Sequence, residues 1–322
     1  MRTTVIALTL LALSAPAASG ETLHFTNIQN LQQIQEVATL ISAISEAHGQ
    51  ATGPDFVVGG PPEQVALARW LMNELDRPVN DDPASGAFRV GPEYSLPVDT
   101  ESSVRLFYLP FTKTVQEFQE AVTSVRSTTD IRWMFTVNAP RAVAVRGTAD
   151  KCTLAEELFG ELSKNTSENS AEFSAPNQRL GEKDDTIQIL HVPHTSSAQD
   201  FQEVVTLTRS VGGIRQLFGY LPTRAMIVRC SPGHVGLAKW LAKQLDQPDS
   251  VSREYRLPEG DENIVRVLYV PQTSTVQEFQ NVASSVRAQS GIKYLYTYNA
   301  PRALVVRGTS DQVALAQKLL QE

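Results

Sequence analysis

Short apolar runs alternate with stretches in which apolar residues recur at helical spacing, and this succession appears four times along the chain. The last copy shows it most fully. Residues 265–270 are an apolar run closed by Pro271, which cannot donate to a sheet ladder, so a strand should end there. Thr275, Val276, Gln277 and Glu278 have the spacing of a helix capping box. Val276, Phe279, Val282, Ala283 and Val286 then recur on one helical face. Residues 292–298 read as an aromatic-rich strand, Asn299, Ala300, Pro301 and Arg302 as a turn, and 303–307 as the returning strand. Gly308 breaks that strand, and Thr309 caps a last helix whose stripe is Val313, Ala316, Leu319 and Leu320. The predicted order is βαββα. Leu304 and Val306, like Val143 and Val145 or Met226 and Val228, should face the helices, leaving Ala303, Val305 and Arg307 on the other side.

Residues 104–158 and 265–319 align without gaps. Both carry TVQEFQ (114–119 and 275–280), NAPRA (138–142 and 299–303) and VRGT (145–148 and 306–309). Two divergent copies, 23–78 and 187–245, share Trp70 with Trp240 and an LDxP ending, and each is followed by an EYxLP segment (93–97 and 254–258). The chain is therefore a duplicated A-B pair. The expected division is module A1 at 21–78, linker 79–102, module B1 at 103–164, linker 165–185, module A2 at 186–248, linker 249–263 and module B2 at 264–322. The expected fold class is α+β, four tandem βαββα modules, each a three-stranded sheet with two helices on one face. A1 is the least regular copy, because residues 50–55 make no convincing second strand. The EYxLP segments are candidates for an added strand beside the following module. Leu106, Tyr108, Val267 and Tyr269 make the outer sheet faces partly apolar, which implies packing against neighbouring modules. Trp70 and Trp240 stand where the B modules carry Glu157 and Lys318, off the modules' own stripes, and are expected to cover an A–B junction.

Composition narrows the class. The chain has 322 residues, 42% hydrophobic and 20% charged, which suits globular domains, and its net charge of -7 disfavours binding to phosphate backbones. Arg2, an apolar run at 5–13 and small residues at 15–20 read as a signal peptide, residues 1–20, cleaved near 17–20. The mature protein is expected to be exported without stable membrane insertion. Cys152 and Cys230 stand at non-equivalent positions, so they do not make a disulfide framework.

No nucleophile elbow, zinc-protease motif, CxxC pair or phosphate loop is present. His191 and His194 form the best metal-like pair, but no further ligand has diagnostic spacing, and the pair reads as partly exposed surface. Glu117, Asp200 and Glu278 are explained by the capping-box position. Arg141, Arg224 and Arg302 fall in the hairpin turns, while Arg146, Arg229 and Arg307 close the returning strands, at a solvated edge or against a neighbouring module. A KH-type clamp on RNA needs a GxxG loop between helices. Val211, Gly212, Gly213 and Ile214 instead lead into a strand, so nucleic acid is not expected as a partner. No cofactor is expected.

The strand-helix-hairpin-helix order with NAPRALVVRGT, an acid and VALAxxL resembles the N-terminal periplasmic modules of bacterial secretins, the NolW-like group. The LDxP endings at 75–78 and 245–248 fit that resemblance. It implies KH-like modules that stack, a periplasmic location, and an envelope or secretion-system protein as partner, or self-association. The β-rich channel region that continues a secretin is expected to be missing. The function implied is a non-enzymatic exported interaction or scaffold protein, an accessory of a secretion or envelope assembly. The alternatives are a periplasmic module binding a small ligand or cell-wall component, and an uncharacterised enzyme. The candidate interface residues are Trp70, Trp240, Tyr108, Tyr269, Arg141 and Arg302.

Overall fold

The computed structural model describes residues 20–77, 86–97, 100–175, 185–246 and 251–321. Nearly all of the expected signal peptide and part of each expected linker lie outside the described residues. The chain divides into two compact units, Met1–Asn80 and Asp81–Glu322.

The first unit contains β1 (Glu21–His24), α1 (Leu31–Ser45), β2 (His48–Thr52), β3 (Asp55–Gly59) and α2 (Pro62–Leu75). Its sheet has the order β1-β3-β2, all antiparallel. Asn30 starts α1 by accepting from the Gln32 and Gln33 amides at 2.9 and 3.2 Å. Leu23, Phe56 and Val58 on the strands and Ile34, Ile41, Ile44 and Leu71 on the helices are buried. The weak second strand expected here is in fact formed. Gly53, with φ of 58°, makes the tight turn between β2 and β3. Gly49 leaves room for the Phe56 ring, since a Cβ there would lie 2.2 Å from it. Asp76, just after α2, gives the LDxP ending its meaning. Its carboxylate accepts from the amides of Thr26, Asn27 and Ile28 at 2.6, 3.0 and 2.8 Å, tying the end of the last helix to the loop after β1.

The second unit repeats the succession three times. Around module B1 come β4 (Arg89–Ser95), β5 (Ser103–Tyr108), α3 (Val115–Thr129), β6 (Trp133–Val137), β7 (Ala142–Gly147) and α4 (Ala149–Leu162). Around A2 come β8 (Phe173–Ser174), β9 (Thr186–His191), α5 (Ala198–Gly212), β10 (Gln216–Tyr220), β11 (Ala225–Cys230) and α6 (Pro232–Asp246). Around B2 come β12 (Arg253–Arg256), β13 (Ile264–Tyr269), α7 (Val276–Ser290), β14 (Tyr294–Tyr298), β15 (Ala303–Gly308) and α8 (Ser310–Leu319). The sheets are separate and antiparallel, ordered β4-β5-β7-β6, β8-β9-β11-β10 and β12-β13-β15-β14.

These three sheets are four-stranded, which corrects the expected three. The extra strands, β4, β8 and β12, come from segments read as linkers. Each pairs with the first strand of the following module, so that strand is no longer an open edge. β4 is irregular between Val90 and Glu93, where Gly91 and Pro92 interrupt the ladder.

Local chemistry sets the helices. Thr114, Ser197 and Thr275 each complete a capping box, with Glu117, Asp200 and Glu278 reaching back to the cap. Arg126, Arg209 and Arg287 near the ends of these helices donate to the carbonyls of Met134, Leu217 and Leu295, fixing each helix to the next strand. The inward faces carry Val143 and Val145, Met226 and Val228, and Leu304 and Val306, each pair in its own module's core.

Candidate interaction surfaces

Within the second unit the outer faces of the A2 and B2 sheets are covered by helices of the preceding module. Ile187, Ile189, Tyr220, Ala225 and Ile227 on the outer face of the A2 sheet share one buried cluster with Phe118 and Val122 of α3. Val265, Val267, Tyr298, Ala303 and Val305 on the outer face of the B2 sheet share another with Val204 and Leu207 of α5. Full burial of each large aliphatic side chain contributes about 1.5–3 kcal/mol, so the two junctions are hydrophobic at their centres.

Polar contacts give both junctions the same register. Arg229, near the end of β11, donates from Nη1 to the Thr128 carbonyl and the Asp130 carboxylate, both at 2.7 Å, at the C-terminal end of α3. Arg307, at the matching place on β15, donates to the Val211 carbonyl at 3.1 Å, at the C-terminal end of α5. A guanidinium suits that position because the last turn of a helix leaves carbonyls unpaired and partially negative. Glu203 of α5 adds a second tie, accepting from the Asn299 amide and side chain, each at 3.0 Å. Of the two readings open for the closing arginines, a solvated edge or a neighbouring module, Arg229 and Arg307 take the second.

The residues singled out in the sequence are not gathered in one place. Trp240 is half-buried and lies 5.6 Å, ring to ring, from Tyr255 of β12. Tyr269 borders the same cluster, at the α5 junction with the B2 sheet. Tyr108 is half-buried with the Arg89 guanidinium 5.2 Å over its ring. Arg141 and Arg302 adopt left-handed conformations with φ of 51° and 52°, and each donates to the asparagine carbonyl that opens its own turn, at 2.8 and 3.0 Å. They also sit 5.8 Å over Phe118 and Phe279, so both stabilise their own hairpins. Trp70 is half-buried on α2. Glu203, which carries the polar tie of the second junction, was missed. Its only signal was a glutamate at the same helix position in Glu36 and Glu120.

The histidine pair, read as partly exposed surface, divides in the structure. His194 is exposed and bonds Asp246 at 2.7 Å, but His191 is buried, on the covered outer face of the A2 sheet. Neither ring nitrogen of His191 meets hydrogen-bond geometry. Burial lowers its pKa below the ordinary value, while the Thr223 carbonyl and Glu161 act in the opposite sense. Cys152 and Cys230 are both buried and are not joined in a disulfide.

The strongest enzyme-like arrangement lies in an open cleft of about 460 Å³ at the start of α6, lined by Asp185, Ser231, His234, Pro258 and Glu259 among others. Ser231 Oγ and His234 Nδ1 are 2.8 Å apart. This contact belongs to the first turn of the helix, where the Ser231 carbonyl also accepts from the His234 and Val235 amides at 3.0 Å. A nucleophile–base pair would need a third group to orient the imidazole. Asp185 and Glu259 line the cleft. No group of three metal-binding side chains occurs among the described residues, and none of their helices is long and apolar enough to cross a membrane.

No family model and no curated protein matches the chain. Among solved structures it is similar to Aeromonas hydrophila ExeD, with 11% identity over 73% of this chain and a TM-score of 0.16. The chain spans 41% of the length of that protein. It is also similar to the structure of XcpQN012, with 14% identity over 63% of this chain and 92% of the other, at a TM-score of 0.20. At these TM-scores the chains do not superpose as wholes, and the functional reading rests on the geometry of the modules themselves.

Proposed function

We propose that the chain is a non-enzymatic protein-interaction scaffold of the bacterial periplasm, serving a secretion or envelope assembly through contact with another protein. The observation that carries this reading is the serial junction. The same helix face meets the same sheet face twice in succession, so the module is built as a protein-binding surface. In the last module that helix face is open. Where α3 buries Ser124 and Thr128, and α5 buries Leu207 and Val211, the matching Ser285 and Gln289 of α7 are exposed. Linked modules that each make a weak contact gain through effective concentration.

Site-specific photo-cross-linking from Ser285 and Gln289 in the periplasm, followed by mass spectrometry, tests the reading. The expected product is one envelope protein attached reproducibly at both positions. Recovery of monomer alone would overturn the scaffold reading and favour a small ligand in the cleft at the start of α6.

A further inference from the structure

In three modules the first strand is covered on its outer edge by an added strand, and in the fourth none is found among the described residues. β4 covers β5, β8 covers β9 and β12 covers β13, whereas among the described residues β1 pairs only with β3. The Phe25 amide bonds the Pro54 carbonyl at 2.8 Å. By the alternation of an antiparallel ladder, the backbone groups of Thr22 and His24 then point away from β3. Both residues are exposed.

The filled edges show what such a strand must carry. Glu21, Arg105, Gln188 and Arg266 occupy one structural position, since each pairs with the equivalent valine of its returning strand, Val58, Val145, Val228 and Val306. The added strands place a glutamate opposite the two arginines, Glu93 opposite Arg105 and Glu254 opposite Arg266. Glu172, one residue before β8, holds the same register and bonds Lys239 of α6 at 2.5 Å. The last helix supplies a second partner, with Glu156 bonding Arg105 at 2.6 Å. In the first module the charges are exchanged: Glu21 is on the strand, and Arg69 of α2 bonds it. That contact lowers the pKa of Glu21.

We propose that the outer edge of β1 receives an extended segment of a partner polypeptide, paired antiparallel, with a lysine or arginine opposite Glu21. Opposite charges directly across an antiparallel pair attract and like charges repel. The same rule turns away the chain's own added strands in a second copy, because those carry glutamate at this register. The inference deepens the interaction reading by naming one edge and the chemistry it selects.

Two peptides based on residues 251–258 make the test, VSREYRLP and its Glu254→Lys form, titrated into the full chain by calorimetry with amide exchange followed by NMR. The lysine peptide is expected to bind about three- to fivefold more tightly and to slow exchange at Thr22 and His24. In the double variant Glu21→Lys, Arg69→Glu the preference should invert. The assignment is overturned by absence of binding, by a preference indifferent to the charge exchange, or by slow exchange at Thr22 and His24 in the peptide-free chain. An envelope protein cross-linked from α7 while neither peptide binds β1 would overturn this edge alone. Specific peptide binding with no envelope partner recovered would overturn the α7 surface and leave the edge standing.

Discussion

His191 illustrates how much one side chain depends on what covers it. It ends β9 on the outer face of its sheet, where the B modules carry Tyr108 and Tyr269, and it is buried there. Burial is the main cause of its lowered pKa, Lys164 adds to it, and the Thr223 carbonyl and Glu161 oppose it. The folded chain therefore favours the neutral ring, while the unfolded chain takes up a proton around the ordinary value of 6.5. The stabilisation is complete above that pH and is lost as pH falls through it towards the depressed folded value. Urea midpoints measured from pH 8 to pH 5 should fall with acid in the parent and fall less in His191→Tyr. Equal acid sensitivity in the two would mean that His191 is not the titrating group. The strand alternation placed this residue on the outer face, but alternation carries no information about whether that face is covered.

At the scale of elements, the helices were the most legible part. Thr114 with Glu117 and Thr275 with Glu278 are local devices, and a capping box needs only the residues within its own turn. Of the added strands, β4 and β12 were legible only as a recurrence and β8 not at all, because an edge strand lives on pairing with a distant partner. β12 also determines where Trp240 goes. Its indole packs against Tyr255, and the Tyr255 hydroxyl lies where a Cβ at Gly236 would be, 2.6 Å away. An aromatic pair of this kind contributes about 0.5–1.5 kcal/mol beyond its buried area. A double-mutant cycle with Trp240→Ala and Tyr255→Ala, read by urea unfolding, should give a coupling energy in that range. Strict additivity would remove this contact from the account of how β12 is held. Trp240 was expected at a junction of modules; the partner its ring meets is Tyr255, in the segment read as the linker 249–263.

At the scale of the molecule, stacking decides cooperativity in the second unit. Ile227 belongs to the A2 sheet by sequence, but it is buried in the cluster built around α3 and α4 of B1. Ile227→Ala should cost about 2–5 kcal/mol, as a large-to-small change in a core does. The effect should spread. Hydrogen exchange is expected to speed up in α3 as well as in β9 and β11, because one junction stabilises both modules. Faster exchange confined to β9–β11 would mean that the modules unfold independently.

The repeat, the element types, the helix caps and the two faces of each sheet are properties of short stretches of chain, and the sequence by itself determined them. A period of 2 or 3.6 and a cap are local, so they survive without knowledge of the rest. Tertiary structure alone decided that the EYxLP candidates pair as strands, that β8 adds one more, the burial of His191, and the tie from Glu203 to Asn299. It also decided that Arg229 and Arg307 end on carbonyls of a preceding helix rather than in water. Each of these joins residues distant in sequence, and periodicity reports which way a side chain points, not what it meets.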